Sequence, residues 1–416
     1  VSPNAEGGLE STGPGEGGKL STPAEAAQHR QVTDAVHAAD PDVKICMQIL
    51  HCGSLARNPN AVAPSAIRSR ISRITPAELD EDGIEKQIRD YVNCAKLAKE
   101  AGYDGVEVIG SGGYLISTFL VERTNQRHDR WGGSYENRMR FPLEVMRRIR
   151  EAVGDDFILI FRIAAMDMLD GGMSWDEIVT LAQALEKIGV NIISTHFVWH
   201  EAAVPTIATM VPRAAFTRVT ARLRRELGIP VITSNRINMP DVAEQVLDRG
   251  DADIVSMARP MLADAELVKK AAEGREDEIN TCIACNQACL DHSFDHNKHV
   301  SCLVNPRACH ETELTYPPVA APRKIAVIGA GPAGLASATI AAGGTLGILI
   351  PPSVVLAIYG FITETDIGTL FIAGVVPGIL AIAMYMTTVR FWYGRQLPAA
   401  EPFKLSEGLA ALGGVW

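Results

Sequence analysis

The stretch CIACNQACLDHSFDHNKHVSC, residues 282–302, sets Cys282, Cys285, Cys289 and Cys302 in a C-x2-C-x3-C-x12-C arrangement. Thiolates so spaced can form disulfides, hold a structural zinc or bind an iron–sulfur cluster, and each answer implies a different compartment and chemistry. The chain has eight cysteines in 416 residues, with Cys46, Cys52 and Cys94 scattered singly through apolar runs. That is not a small secreted disulfide scaffold, and a reducing cytoplasm is the better expectation. Zinc and a cluster stay open on spacing alone. Cys309 is left out of the ligand set. A second motif follows in KIAVIGAGPAGLASA, where Gly329, Gly331 and Gly334 come after an apolar run and open a small-residue helix. A lone GxGxxG is weak, but in this order it reads as a dinucleotide site with phosphates at a helix N-terminus.

The elements that must position these groups follow an α/β pattern. From about residue 40 to 275, short β-branched runs alternate with longer amphipathic stretches, as in a parallel sheet with crossover helices. VKICMQIL, GVEVIG, FILIFRI, NIIST, PVITS and DIVSMA are nearly continuously apolar, as strands covered on both faces are. One helix presents Ile84, Ile88, Tyr91, Val92, Ala95 and Ala98 on a single face, with Thr75, Pro76 and Glu78 expected to start it as N-cap, first-turn proline and capping-box acid. Ser174 and Glu177 repeat the capping signal before IVTLAQALEKIG. Six strand–helix units, with polar and aromatic residues gathered after the strand ends, suggest an incomplete (β/α)8 barrel whose functional face lies at the strand C-termini. An open doubly wound sheet is the alternative. Two strands are expected before Val1, because the chain is expected to begin mid-protein.

A composition of 47% hydrophobic residues and a net charge of −10 describe a globular chain with a large core and no nucleic-acid-binding surface. No basic segment followed by an apolar one opens the chain, so no signal peptide is expected.

RTNQRHDRWGGSYENRMRFPLEV, residues 123–145, together with LHCG, GYLISTFL, WHEA, PTIAT and the cysteine stretch, resembles the flavin-dependent old yellow enzyme family over residues 5–338. Within it the chain looks most like the bacterial NADPH-dependent 2,4-dienoyl-CoA reductases, with related enoate reductases the alternative. The resemblance implies an FMN barrel over residues 1–275, a [4Fe–4S] segment over 276–320 and the start of an FAD domain over 321–338, with NADPH as electron donor. It implies a cluster held by Cys282, Cys285, Cys289 and Cys302, which carries single electrons between flavins. Tyr114 would be the proton donor and His200 its active-site partner. Gln48, Arg162, Arg236, Ala258 and Arg259 would contact FMN, and Gly329, Gly331 and Gly334 would contact FAD. Thr124 and Glu201, Ala202, Ala203 and Val204 would face the acyl-CoA substrate. His51 and His196 have weaker claims. The pattern departs at Gly112, where the family suggests a glutamate, and at Ala203, where it suggests an arginine. Either change could alter turnover or the acyl-CoA accepted.

The tail reads differently. Residues 339–363 and 367–389 contain no charged side chain, and Arg390 and Arg395 follow. Each run is long enough to cross a membrane, which takes about 20 apolar residues. GGTLGILIPPSVVLAIYGFITETDIGTLFIAGVVPGIL resembles the large permease subunit of TRAP-type dicarboxylate transporters. A transporter fragment is the other reading for this part alone, with membrane contact only through residues 339–416 and an inner-membrane location if the tail is genuine. The expectation is a chain in which two unrelated families meet near Ala338 and Thr339, without NADPH-driven turnover of its own.

Overall fold

The computed structural model describes residues 1–8, 18–293 and 298–315, with isolated positions 317, 380, 383 and 387. The chain divides into two units, Val1–Thr315 and Tyr316–Trp416, and the account that follows concerns the first. Gly329, Gly331 and Gly334 lie outside the described residues, as does the apolar tail apart from those isolated positions. Among the described residues no helix is long and apolar enough to cross a membrane.

The strands are β1 Cys46–Ile49, β2 Val62–Ala63, β3 Ala77–Glu78, β4 Gly105–Gly110, β5 Ile158–Met166, β6 Ile192–Phe197, β7 Val231–Thr233 and β8 Ile254–Val255. Six of them form one sheet in the order β1-β4-β5-β6-β7-β8, and every pair is parallel. All six apolar runs of the sequence become strands of this sheet. Each strand pairs with the next one in the sheet after a helical crossover, the connectivity of a barrel wall. Among the described residues no strand joins β8 back to β1.

The core explains the local choices. Helix Glu81–Glu100 buries Ile84, Ile88, Tyr91, Ala95 and Ala98 as its period predicts, with Val92 only partly buried. Against it and helix Arg140–Val153, Phe119 stacks on Phe141 with ring centroids 4.1 Å apart, and Tyr91 and Trp131 meet Phe141 edge-on. The expected helix start at Thr75, Pro76 and Glu78 is wrong. Ala77 and Glu78 instead pair in parallel with Val62 and Ala63, and the helix is capped later by Asp80, whose carboxylate accepts from the Gly83 amide at 2.8 Å. Long-range pairing with β2 overrides a local capping signal, because Asp80 supplies the same chemistry after Leu79 has been buried. The Ser174 and Glu177 capping box forms as read. A helix at Pro23–Ala39, with its own box from Thr22 and Glu25, precedes the region where the periodicity was traced.

Candidate active site

The strand ends of β4, β5 and β6 build the centre of the site. After β4, Ser111, Gly112 and Gly113 lead into Tyr114, which caps the buried helix Leu115–Leu120. Gly112 and Gly113 both take positive φ, 77° and 93°, which explains why a glutamate is not found at 112. A Cβ at Gly112 would also crowd the Tyr114 ring at 3.3 Å, and one at Gly113 would strike the Trp199 indole at 2.9 Å. After β6, the His200 amide donates to the Gly112 carbonyl at 3.2 Å. The two loops thereby bring Tyr114 Oη within 2.7 Å of His200 Nε2, the rings edge-on at 89°. Either atom can be the donor, depending on the imidazole tautomer.

Asp167, just past β5, holds this pair in place and was not singled out from sequence. Its carboxylate accepts from Trp199 Nε1 and from the Met173 amide, both at 2.7 Å. Burial raises its pKa to about 6, partly countered by those two hydrogen bonds. The sign follows: a carboxyl whose folded pKa lies above its unfolded value stabilises the fold at low pH, and that contribution is lost as pH rises from about 4 through 6. Asp167→Ala is expected to cost about 1–3 kcal/mol, from an indole N–H and an amide left without partners. Chemical denaturation between pH 4 and 8 checks this: the wild-type advantage should shrink as pH rises, and a variant with an unchanged midpoint throughout would refute it.

The electrostatics keep the neighbouring groups neutral. Burial drives the Tyr114 phenol well above its ordinary pKa, with Arg162 pulling the other way. His200 is exposed as a residue, yet partial desolvation of its imidazole lowers its pKa. His196, set aside from sequence, joins the site: burial and then Arg162 and His200 push its pKa down to about 3, and its buried Nδ1 has no hydrogen-bond partner. His51 is also held to about 3 by burial, but its Nδ1 accepts from the Gly53 amide inside the loop after β1.

One pocket gathers four of the five residues expected to contact FMN, all but Gln48. Arg162, His196, His200, Ala202, Val204, Arg236, Ala258 and Arg259 all line it, with Trp199, Ser234, Asn235 and Ser256. Gln48 Nε2 donates to Glu107 Oε1, and Arg162 lies 3.7 Å from the same oxygen, so β1, β4 and β5 carry one polar row. Glu107 was missed, although it is the only charged residue in GVEVIG. At the other end Arg236 donates to the Val211 carbonyl and Arg259 to the Ile207 carbonyl and Asn286, and among the described residues neither meets a carboxylate. Burial and then the nearby Arg259 lower the pKa of Arg236. Two guanidinium groups that line one pocket and pair with no carboxylate among the described residues, beside left-handed backbone at Asn235 and Arg236 (φ 71° and 60°), fit a phosphate. The donor set thus fits a flavin mononucleotide, polar row to the ring and arginine pair to the phosphate.

The remaining predicted residues are placed otherwise. The Thr124 hydroxyl donates to the carbonyls of Thr118 and Val121 at a helix end. Glu201 accepts from the Arg70 amide at 3.2 Å and lies 3.7 Å from Arg123, while Ala203 is exposed. Cys282, Cys285, Cys289 and Cys302 line a second pocket, whose wall includes Arg259. The cysteine segment is tied to the strand ends by Asn238 Nδ2 donating to the Cys282 carbonyl and Thr209 Oγ1 donating to the Ile283 carbonyl. Among the described residues no three His, Cys, Asp or Glu side chains come as close as a single metal ion needs; zinc would set its four sulfurs roughly 3.8 Å apart. All eight cysteines are free thiols.

Residues 3–278 match the NADH:flavin oxidoreductase / NADH oxidase family, and residues 330–416 match the DctM component of tripartite ATP-independent periplasmic transporters. The chain is 46% identical to a metal reductase of Desulforamulus reducens, over 75% of this chain and 47% of that protein. It is 38% identical to an NADH oxidase of Thermoanaerobacter brockii, over 75% and 49%. The chain therefore spans about half the length of these relatives. Among solved structures, a 2-naphthoyl-CoA reductase in complex with 2-naphthoyl-CoA superposes with a TM-score of 0.72 at 33% identity, covering 76% of this chain and 51% of that one. Morphinone reductase superposes at 0.54 and 27% identity, covering 66% and 75%. With the family model matched over residues 3–278, well over half of its length, the chain belongs to the NADH:flavin oxidoreductase / NADH oxidase family.

Proposed function

We propose that residues 1–320 form the substrate-reducing part of a reductase that saturates a carbon–carbon double bond conjugated to a thioester, with 2,4-dienoyl-CoA as the substrate class. The observation that carries this is the Tyr114–His200 pair, 2.7 Å apart at adjoining strand ends. Reducing a conjugated alkene needs a proton as well as a hydride, whereas oxidising an amine needs no acid in that position. This separates the proposal from the amine chemistry named for other relatives, such as the dimethylamine dehydrogenase of Hyphomicrobium. Thioester and alkene chemistry is named for the 2-naphthoyl-CoA reductase and for the cinnamate reductase of Clostridium sporogenes.

Bound FMN supplies the hydride to the terminal carbon of the conjugated system. The rest falls to the chain. Arg236 and Arg259 hold the phosphate, while Gln48 and Arg162, linked through Glu107, reach the ring. Neutral His200 donates its Nε2–H to the Tyr114 oxygen, which leaves the phenol O–H to protonate the substrate. Trp199 and Asp167 fix the pair and exclude water from one side. Cys282, Cys285, Cys289 and Cys302, which line one pocket, would hold a [4Fe–4S] cluster. Arg259, common to both pockets, would link the cysteine segment to the arginine pair that would hold the flavin phosphate. FAD at Gly329, Gly331 and Gly334 and NADPH as donor remain parts of this proposal. Residues 339–416 are assigned to a transporter-derived segment foreign to it.

The test uses purified FMN-loaded protein reduced with dithionite without oxygen. Mixing with 2,4-hexadienoyl-CoA should restore the oxidised flavin spectrum and yield a product heavier by two hydrogens. Oxidised protein bleached by dimethylamine or sarcosine, with no response to the dienoyl-CoA, would overturn the reading. A colourless protein that stays in solution only in detergent would favour the transporter segment as the functional part.

A further inference from the structure

We propose that the loop 65–74 binds the phosphate groups of the CoA handle through Arg68, Arg70 and Arg73. The proposal rests on the thioester reading above and adds a specificity site outside the catalytic pocket. In SAIRSRISRIT the serines and arginines interleave, and the structure sorts them by face. Ser65, Ser69 and Ser72 are buried, and the three arginines are exposed. The buried serines order the loop: Ser65 Oγ accepts from the Gln126 amide at 3.0 Å, Ser69 Oγ from the Ile71 amide at 3.4 Å and Ser72 Oγ from the Ile74 amide at 3.2 Å. Arg127 adds a bond to the Pro64 carbonyl at 3.0 Å. The arginine side chains therefore project from a fixed platform, and among the described residues none of the three forms an ion pair. In a chain of net charge −10 this is an unusual concentration of unneutralised positive charge. Ile71 stands among them, 59% exposed, an apolar contact for a base or for the pantetheine arm.

Position turns this charge into a site. The Arg70 amide donates to Glu201, the residue after His200. At the other end of the loop Ile74 and Tyr114 pack on one small apolar cluster of Cys52, Ala56 and Ala61. The loop thus borders the catalytic pair from both sides. A CoA thioester carries its diphosphate and 3′-phosphate many bonds from the reacting carbons. With the acyl chain beside Tyr114 and His200, those phosphates must find cations at the rim, and planar guanidinium groups are the side chains best shaped for them.

The experiment compares 2,4-hexadienoyl-CoA with the N-acetylcysteamine thioester of the same acid, which lacks every phosphate, as substrates of the flavin-loaded protein. In the triple variant R68Q/R70Q/R73Q, KM for the CoA ester should rise roughly tenfold, since each exposed charge pair contributes up to about fivefold. The N-acetylcysteamine ester should be handled within about twofold of wild type, and added salt should raise the wild-type KM for the CoA ester alone. Equal effects on both esters, or no effect on either, would overturn the proposal. Inhibition by inorganic phosphate as strong as by free CoA would also do so, since it would mark a general anion site. If wild type reduces neither ester, the thioester reading itself has failed. An unchanged melting temperature shows that the variant is folded.

Discussion

Replacing Tyr114 with phenylalanine is expected to lower the rate of dienoyl-CoA reduction by roughly 10²–10⁴-fold, the usual contribution of a positioned general acid. The substitution removes one oxygen from a ring that is otherwise held by its contacts. The T-shaped packing on His200 and the position at the start of helix Leu115–Leu120 depend on the ring and the backbone. Flavin binding should survive, because Arg162, Arg236 and Arg259 line the pocket independently of the Tyr114 hydroxyl. Stopped-flow mixing of the reduced, flavin-loaded variant with 2,4-hexadienoyl-CoA measures the loss directly. A loss below about threefold would return Tyr114 to a packing role. His200→Asn adds a distinguishing signature: if the imidazole orients the phenol, the variant keeps a slower reaction whose pH profile shifts.

Substitution of Cys302 by serine should abolish the iron–sulfur chromophore altogether. After anaerobic reconstitution with iron and sulfide, wild type is expected to show broad visible absorption, Cys302→Ser none, and Cys309→Ser the full signal. The geometry separates the two residues. Cys302 lines the pocket shared with Cys282, Cys285 and Cys289. Cys309 is exposed, with a left-handed φ of 63° and its amide bound to Glu311. Because ligand thiolates are preorganised only in the folded segment, loss of one should also loosen the region around it. Stoichiometric zinc without iron, or equal loss in both variants, would refute the assignment.

What was legible in advance divides along physical lines. The six buried strands were readable because a strand covered on both faces must be apolar throughout, whatever lies beside it. Tyr114 and His200 could be singled out because long ordered motifs surround them. Glu107, Asp167 and Trp199 were not, since their importance arises only when β4, β5 and β6 lie side by side. Nothing local distinguishes the aspartate of AAMDMLDGG from its neighbour three residues on, until Trp199 arrives from the next strand to donate to it. His196 was undervalued for the same reason: one strand cannot show that its imidazole is buried among Arg162 and His200. The misread helix start shows the converse, a complete local signal overruled by a partner strand.

The clasp formed by Gly112, Asp167, Trp199 and His200 has a bearing on how this protein reaches its working form. Tyr114 and His200 are 86 positions apart in the chain, and the carboxylate bound to Trp199 beside them comes from a third strand end between. No pair of neighbouring units can assemble the centre, so the two crossovers that join β4, β5 and β6 must both dock before any reactive geometry exists, and the loop-closure entropy of each opposes that docking. Partly folded intermediates carry strands and helices without chemistry, and activity should be the last native property recovered on refolding. Selection for a working enzyme thereby acts on the cooperativity of the whole wall as well as on the few atoms that touch substrate.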